Sequence, residues 1–229
     1  MTPLVRRAAA EAVGTAFLVA AVIGSGIMAS RLSPGDVGLQ LLQNSITTGA
    51  VLVALILALQ PVSASFNPVV TLVEVALGVL RPGSGAVLVG AQLVGGCAGA
   101  VLANLMFDLG PVTVATNERT GGHLLLAEVV ATVGLVTIVF GTLRSGRTET
   151  VAYAVGGYIA AAYWFTSSTS FANPAVTLAR TLSDTFAGIA PGSVGGFVAA
   201  QLVGGLLALG LVHLLFPAPA LTPSTQETS

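Results

Sequence analysis

Six apolar stretches run through this chain. They extend from Ala8 to Ala29, Leu39 to Leu59, Gly85 to Phe107, Leu124 to Leu143, Val151 to Phe165 and Val194 to Phe216. A helix needs about 20 mostly apolar residues to cross a hydrocarbon core, so these are read as membrane spans. Turn-forming residues sit between them, as in Ser33-Pro34-Gly35-Asp36, Arg81-Pro82-Gly83-Ser84 and Pro191-Gly192-Ser193. Only 7% of the 229 residues are charged, where a soluble domain carries about 25%. That is too little charge to cover a soluble globule. Disorder is excluded because there is ample apolar surface to bury.

The same counts remove several functions. Net charge is −1, so there is no basic footprint for nucleic acid. One cysteine, Cys97, cannot close an internal disulfide, and His123 and His213 have no metal-ligand spacing. No metal or other cofactor is expected. With neither a nucleophile–base pair nor a phosphate loop, a membrane enzyme is disfavoured. Glu11 inside the first span, and that span's length, argue against a cleaved leader.

The chain repeats itself. Glu11-Ala12-Val13-Gly14-Thr15 resembles Glu128-Val129-Val130-Ala131-Thr132, and Ala91-Gln92-Leu93-Val94-Gly95-Gly96 recurs as Ala200-Gln201-Leu202-Val203-Gly204-Gly205. Ser65-Phe66-Asn67-Pro68 likewise recurs as Ser170-Phe171-Ala172-Asn173-Pro174, and Val-Thr-Leu follows in both. Repeat one covers about 6–110 and repeat two about 120–216, together one domain over 1–216, with a disordered tail at 217–229. Three spans per half is an odd number, so the halves insert in opposite senses, and such repeats place their site where interrupted helices meet. Six spans put both termini on one side. The positive-inside rule makes that side cytoplasmic, since Arg6, Arg7, Arg81, Arg144 and Arg147 then lie inside. Tyr163, Trp164 and Phe165 become an aromatic anchor at the outer end of the fifth span.

Each Asn-Pro lies in an apolar stretch too short to cross. About 13 residues separate Pro68 from Arg81, and about 10 separate Pro174 from Asp184. Proline suits a first helical position and asparagine an N-cap. Both segments therefore read as half-helices that begin at Asn67 and Asn173 and meet N-terminus to N-terminus. Non-helical backbone at that depth must line a cavity, which assigns the Ser63–Phe66 and Thr169–Ala172 carbonyls to a polar path. Two positive dipole ends and two amide donors facing that path repel cations and admit neutral hydrogen-bonding molecules.

These residues resemble the aquaporin/aquaglyceroporin family, whose signature is two Asn-Pro-Ala boxes in inverted halves. The resemblance covers roughly Arg6 to Phe216. It implies an all-α membrane fold of six transmembrane helices plus two re-entrant half-helices, a passive channel in a bacterial-type inner membrane, and a homotetramer. Asn173-Pro174-Ala175 matches fully, while the first box reads Asn67-Pro68-Val69 and the segment before it looks one residue short. The family's arginine after the second box is replaced by Val176. Its other constriction positions map to Thr48 (Thr47 without the one-residue gap), Ala161 and Ser170, which makes a wide filter without fixed charge. The stretch from Tyr163 to Ile189 looks like a branch associated with arsenic resistance. That likeness implies passage of arsenous acid beside water and glycerol-like polyols. The rival readings are a water-selective aquaporin and an alternating-access transporter built on the same repeat logic.

Six polar groups complete the reading. Glu11 and Glu128 are intramembrane carboxylates, either a proton relay or supports for the re-entrant loops, and the resemblance favours supports. Gln92 and Gln201 are expected to make interhelical hydrogen bonds. Arg180 and Glu74 both lie seven residues after an asparagine. Arg180 falls at the outer mouth, as a displaced filter arginine or, the plainer reading, paired with Asp184 at i+4.

Overall fold

The computed structural model describes residues 1–216; the tail 217–229, expected to be disordered, lies outside the described residues. Eight α-helices follow in chain order: α1 (Pro3–Leu32), α2 (Val37–Leu59), α3 (Pro68–Ala76), α4 (Pro82–Met106), α5 (Gly122–Arg144), α6 (Val151–Phe165), α7 (Pro174–Ala179) and α8 (Pro191–Leu215). No strand occurs among the described residues. α1, α2, α4, α5 and α8 are each long and apolar enough to cross a membrane. α6 has only 15 residues and is lengthened at its start by a 3-10 turn over Thr148–Thr150.

Proline opens α1, α3, α4, α7 and α8, where its missing N–H strands no partner. Asn67 and Asn173 cap α3 and α7, as their spacing predicts. Asn67 Oδ1 accepts from Val69 N at 2.9 Å, and Asn173 Oδ1 from Ala175 N at 3.0 Å.

The packing has a pseudo-twofold pattern. α1 lies on α4 as α5 lies on α8, and α1 on α2 as α5 on α6. α3 touches α8 while α7 touches α4, so each half-helix is inserted into the opposite repeat as well as its own. α2 crosses its own counterpart, α6. At that crossing a Cβ on Gly49 would lie 2.8 Å from the Gly156 carbonyl, and one on Gly156 2.6 Å from the Gly49 carbonyl.

The Gly95-xxx-Gly99 face packs within the chain. A Cβ at either position would collide with the α1 backbone at Ala12 or Ala16. Backbone cannot retreat from such a contact. Gly95→Leu should therefore destabilise the fold by on the order of 3 kcal/mol. The variant is expected to lose its monodisperse peak in size-exclusion chromatography after detergent extraction, while Gly90→Leu, which meets open space, keeps it.

Candidate solute pore

Each re-entrant loop is organised around one buried carboxylate. Glu11, on α1, accepts from Ser63 Oγ at 2.6 Å, Ser65 N at 2.9 Å, Phe66 N at 2.7 Å and Gln92 Nε2 at 2.8 Å. Glu128, on α5, accepts from Ser168 Oγ at 2.6 Å, Phe171 N at 2.9 Å, Ala172 N at 2.8 Å and Gln201 Nε2 at 2.6 Å. Both carboxylates are 0% exposed. Gln92 and Gln201 also donate to Thr71 and Thr177, each at 2.9 Å, and so tie the half-helices to α4 and α8.

The loops differ in one respect. In the first, serine stands four residues before the asparagine; in the second, five. The extra residue is absorbed at Thr169 and Ser170, both in the left-handed region with φ of 61° and 52°. Immediately before each asparagine the chain is again left-handed, at Phe66 and Ala172, both with φ of 47°. Non-glycine residues held there cost about 1–3 kcal/mol each. The return is a crossed lock. Asn67 Nδ2 donates to the Ala172 carbonyl and Asn173 Nδ2 to the Phe66 carbonyl, both at 2.7 Å.

A continuous cavity of about 280 Å³ runs past this lock. It reaches from Arg7, Gln60 and Glu74 at the end where α1 begins to Thr48, Tyr163 and Arg180 at the far end, with Asn67 and Asn173 between. Leu18, Val22, Leu52, Leu135, Val139 and Ile159 give it an apolar wall, and Ser63, Ser65 and Ser170 contribute polar atoms. Because each asparagine Oδ1 caps its own helix, the amides can present only N–H to the cavity.

Thr48, Ser170 and Val176 line the cavity. Ser170 Oγ is buried and has no hydrogen-bond partner among the described residues. Ala161 does not join them; it lies on the exposed side of α6. Tyr163, two residues on, takes the cavity side. It is 3% exposed, and its hydroxyl lies 3.1 Å from Thr48 Oγ1. Of the expected aromatic anchor only Trp164 and Phe165 face outward. Of the carbonyls assigned to the path, those of Phe66 and Ala172 are taken by the crossed lock.

Arg180 also departs from its plainer reading. It is buried, lines the cavity, donates from Nε to the Ala187 carbonyl and stacks its guanidinium 3.5 Å from the Phe171 ring centroid. Asp184 accepts instead from Thr116 N at 2.9 Å and Thr116 Oγ1 at 3.0 Å. The far end of the cavity therefore carries a guanidinium, at odds with the charge-free filter expected from Thr48, Ala161, Ser170 and Val176. The linker between the repeats holds this region. Thr113 N donates to the Leu182 carbonyl at 3.0 Å and Ala115 N to that of Thr181 at 2.9 Å, while Asn104 Nδ2 reaches Leu182 at 2.9 Å.

Two inverted three-helix units, closed on opposed half-helices around a cavity lined by both, define a membrane channel for small solutes rather than an enzyme. The chain belongs to the major intrinsic protein family, whose model matches residues 1–150. It is 51% identical to aquaglyceroporin AqpS of Rhizobium meliloti (strain 1021), across 99% of this chain and 97% of that protein. The X-ray structure of the aquaglyceroporin from Plasmodium falciparum superposes with a TM-score of 0.73 at 17% identity, covering 93% of this chain and 96% of that one.

Proposed function

We propose that the protein conducts small uncharged hydroxyl-bearing solutes, namely water, glycerol-like polyols and arsenous acid, passively along the cavity. The observation that carries this reading is the mixed lining, which combines apolar side chains with hydrogen-bonding groups. A polyol lays its carbon chain on the former and its hydroxyls on the latter. The crossed Asn–carbonyl lock supports a fixed pore over alternating access, because it ties together the two elements that would have to part. Glu11 and Glu128 hold the loops. Each accepts four hydrogen bonds from the protein, which leaves no role for a relay. Arsenous acid rests on the likeness of the Tyr163–Ile189 stretch, and suits the same lining as a neutral trihydroxide at pH 7.

In this reading the outer constriction comprises Thr48, Tyr163, Ser170, Val176 and Arg180. Arg180 supplies from the end of α7 the charge that other members carry directly after the second box. The termini are cytoplasmic, the membrane is a bacterial plasma membrane and the assembly is a tetramer. The test is stopped-flow light scattering on proteoliposomes under water, glycerol and arsenous acid gradients. Fast, non-saturating glycerol flux is expected, and flux of water alone would replace this reading with a water-selective channel. Val176→Arg, which sets a second guanidinium beside the first, should lower glycerol flux about tenfold and water flux less. Unchanged glycerol flux in that variant would remove Val176 from the constriction.

A further inference from the structure

One acid in the cavity has no structural employment. Glu74 lies on the last turn of α3, seven residues past Asn67, and lines the pore at the end opposite Arg180. Its position is unfavourable for a carboxylate in two respects. It sits where the carbonyl end of the half-helix already carries partial negative charge, and it is half-buried. Little offsets this. Oε1 accepts one hydrogen bond, from Ser65 Oγ at 3.2 Å, and Oε2 is buried with no hydrogen-bond partner among the described residues. Arg7 lines the same end of the cavity. Glu11 and Glu128 are the contrast, since each accepts four hydrogen bonds. A carboxylate kept for stability is satisfied by the protein; Glu74, which lines the cavity, keeps one oxygen that no group among the described residues satisfies.

We propose that Glu74, with Ser65 beside it, forms an inner solute-binding site that takes neutral molecules carrying several hydroxyl donors. The proposal rests on the channel reading above and adds a residue and a preference to it. An ionised carboxylate accepts and cannot donate. It therefore complements the mid-pore, where Asn67 and Asn173 offer N–H donors, and the far end, where Arg180 does the same. A polyhydroxyl solute needs acceptors for its own O–H groups once it has shed water against the apolar wall. The apolar residues at this end, Ile56, Val62, Val139, Leu143 and Val151, offer none; Gln60 adds an amide, and Glu74 is the one carboxylate among the described residues that line the cavity. Ser65 adds no free donor, because its hydroxyl is already turned to Glu74. Water has two donors and loses little if one acceptor is missing, whereas glycerol has three and is held against the wall. Glu74 should therefore favour polyols over water.

The experiment compares glycerol and water permeabilities of wild-type and Glu74→Gln proteoliposomes at pH 7. A hydrogen bond to a charged group is strong enough that its loss should lower glycerol permeability about 3- to 10-fold, with water permeability changed less than about twofold. Retained water flux also shows that the variant is folded. Glu74→Asp keeps the carboxylate and should give a glycerol-to-water ratio closer to wild type than Glu74→Gln does. An unchanged ratio in Glu74→Gln, with both fluxes kept or both falling together, overturns the proposal, as does the reverse order of the two variants. If wild-type protein passes water but no glycerol, the channel reading fails first and this site with it.

Discussion

Glu128→Ala is expected to abolish water and glycerol flux together, and Glu11→Ala to do the same. Four donors converge on each carboxylate, two of them backbone N–H groups of a loop that follows no regular hydrogen-bond pattern. Alanine strands them all in a dry interior. Each stranded donor costs about 1–3 kcal/mol, so the sum approaches the whole stability of an ordinary domain. The left-handed residues Phe66 and Ala172 persist only while their neighbours over-determine them, and these bonds are the determinant. Glu128→Gln should fall between alanine and wild type. The unpaired Oε1 of Gln201 can rotate to accept from the new amide, but the Ala172 N–H then faces a donor. Size-exclusion profiles and paired flux measurements distinguish the roles. A proton relay would leave neutral-solute flux intact in every variant, and that result would sink the loop-support reading.

Much of this site could be read from the sequence because its determinants are local or duplicated. Asn-Pro is a cap followed by a first helical residue, and that chemistry is complete within three positions. Finding Glu11 and Glu128 at matching places made two intramembrane charges into one repeated device. Three features escaped, each for a geometric reason. Ala161 comes from mapping the family's constriction onto the fifth span, a match by chain position that does not fix which face of α6 a residue occupies. Two residues is more than half a turn, which puts Tyr163 on the cavity side and Ala161 opposite. Tyr163 also sits next to two residues that do face outward, so composition alone assigned it to the membrane surface. The crossed lock needed knowledge of where the Phe66 and Ala172 carbonyls point, and nothing in residue type marks that. The Arg180–Asp184 pairing assumed that helix continues after Ala179. It does not: a 3-10 turn covers Arg180–Leu182, and Ser183 is extended at φ −139°, so i+4 spacing no longer brings the two side chains together.

Arg180→Leu should make the channel leak cations. The variant replaces the guanidinium with a shorter apolar chain and removes the charge, the stack on Phe171 and the bond to Ala187. At an effective dielectric of 20, a unit charge acting over about 8 Å contributes about 2 kcal/mol to a barrier, roughly thirtyfold in rate. Proton or potassium entry into proteoliposomes, read with an internal pH dye or a potential-sensitive dye, should rise at least about tenfold. Glycerol flux should rise as well, because a planar group leaves the constriction. The two half-helix N-termini remain in the variant, so the measurement separates their contribution from that of Arg180. No added leak would mean that dipoles and amides suffice and that Arg180 serves the Phe171 stack. Arg180→Lys tests the remaining step. Lysine keeps the charge but loses the planar stacking and the Nε bond, so cation exclusion should survive while glycerol flux drifts from wild type. Restoring the charge from the other position gives the decisive comparison. Val176→Arg in the Arg180→Leu background should bring cation exclusion back, since the two side chains line the same end of one cavity and the barrier depends on the charge, not on which residue carries it.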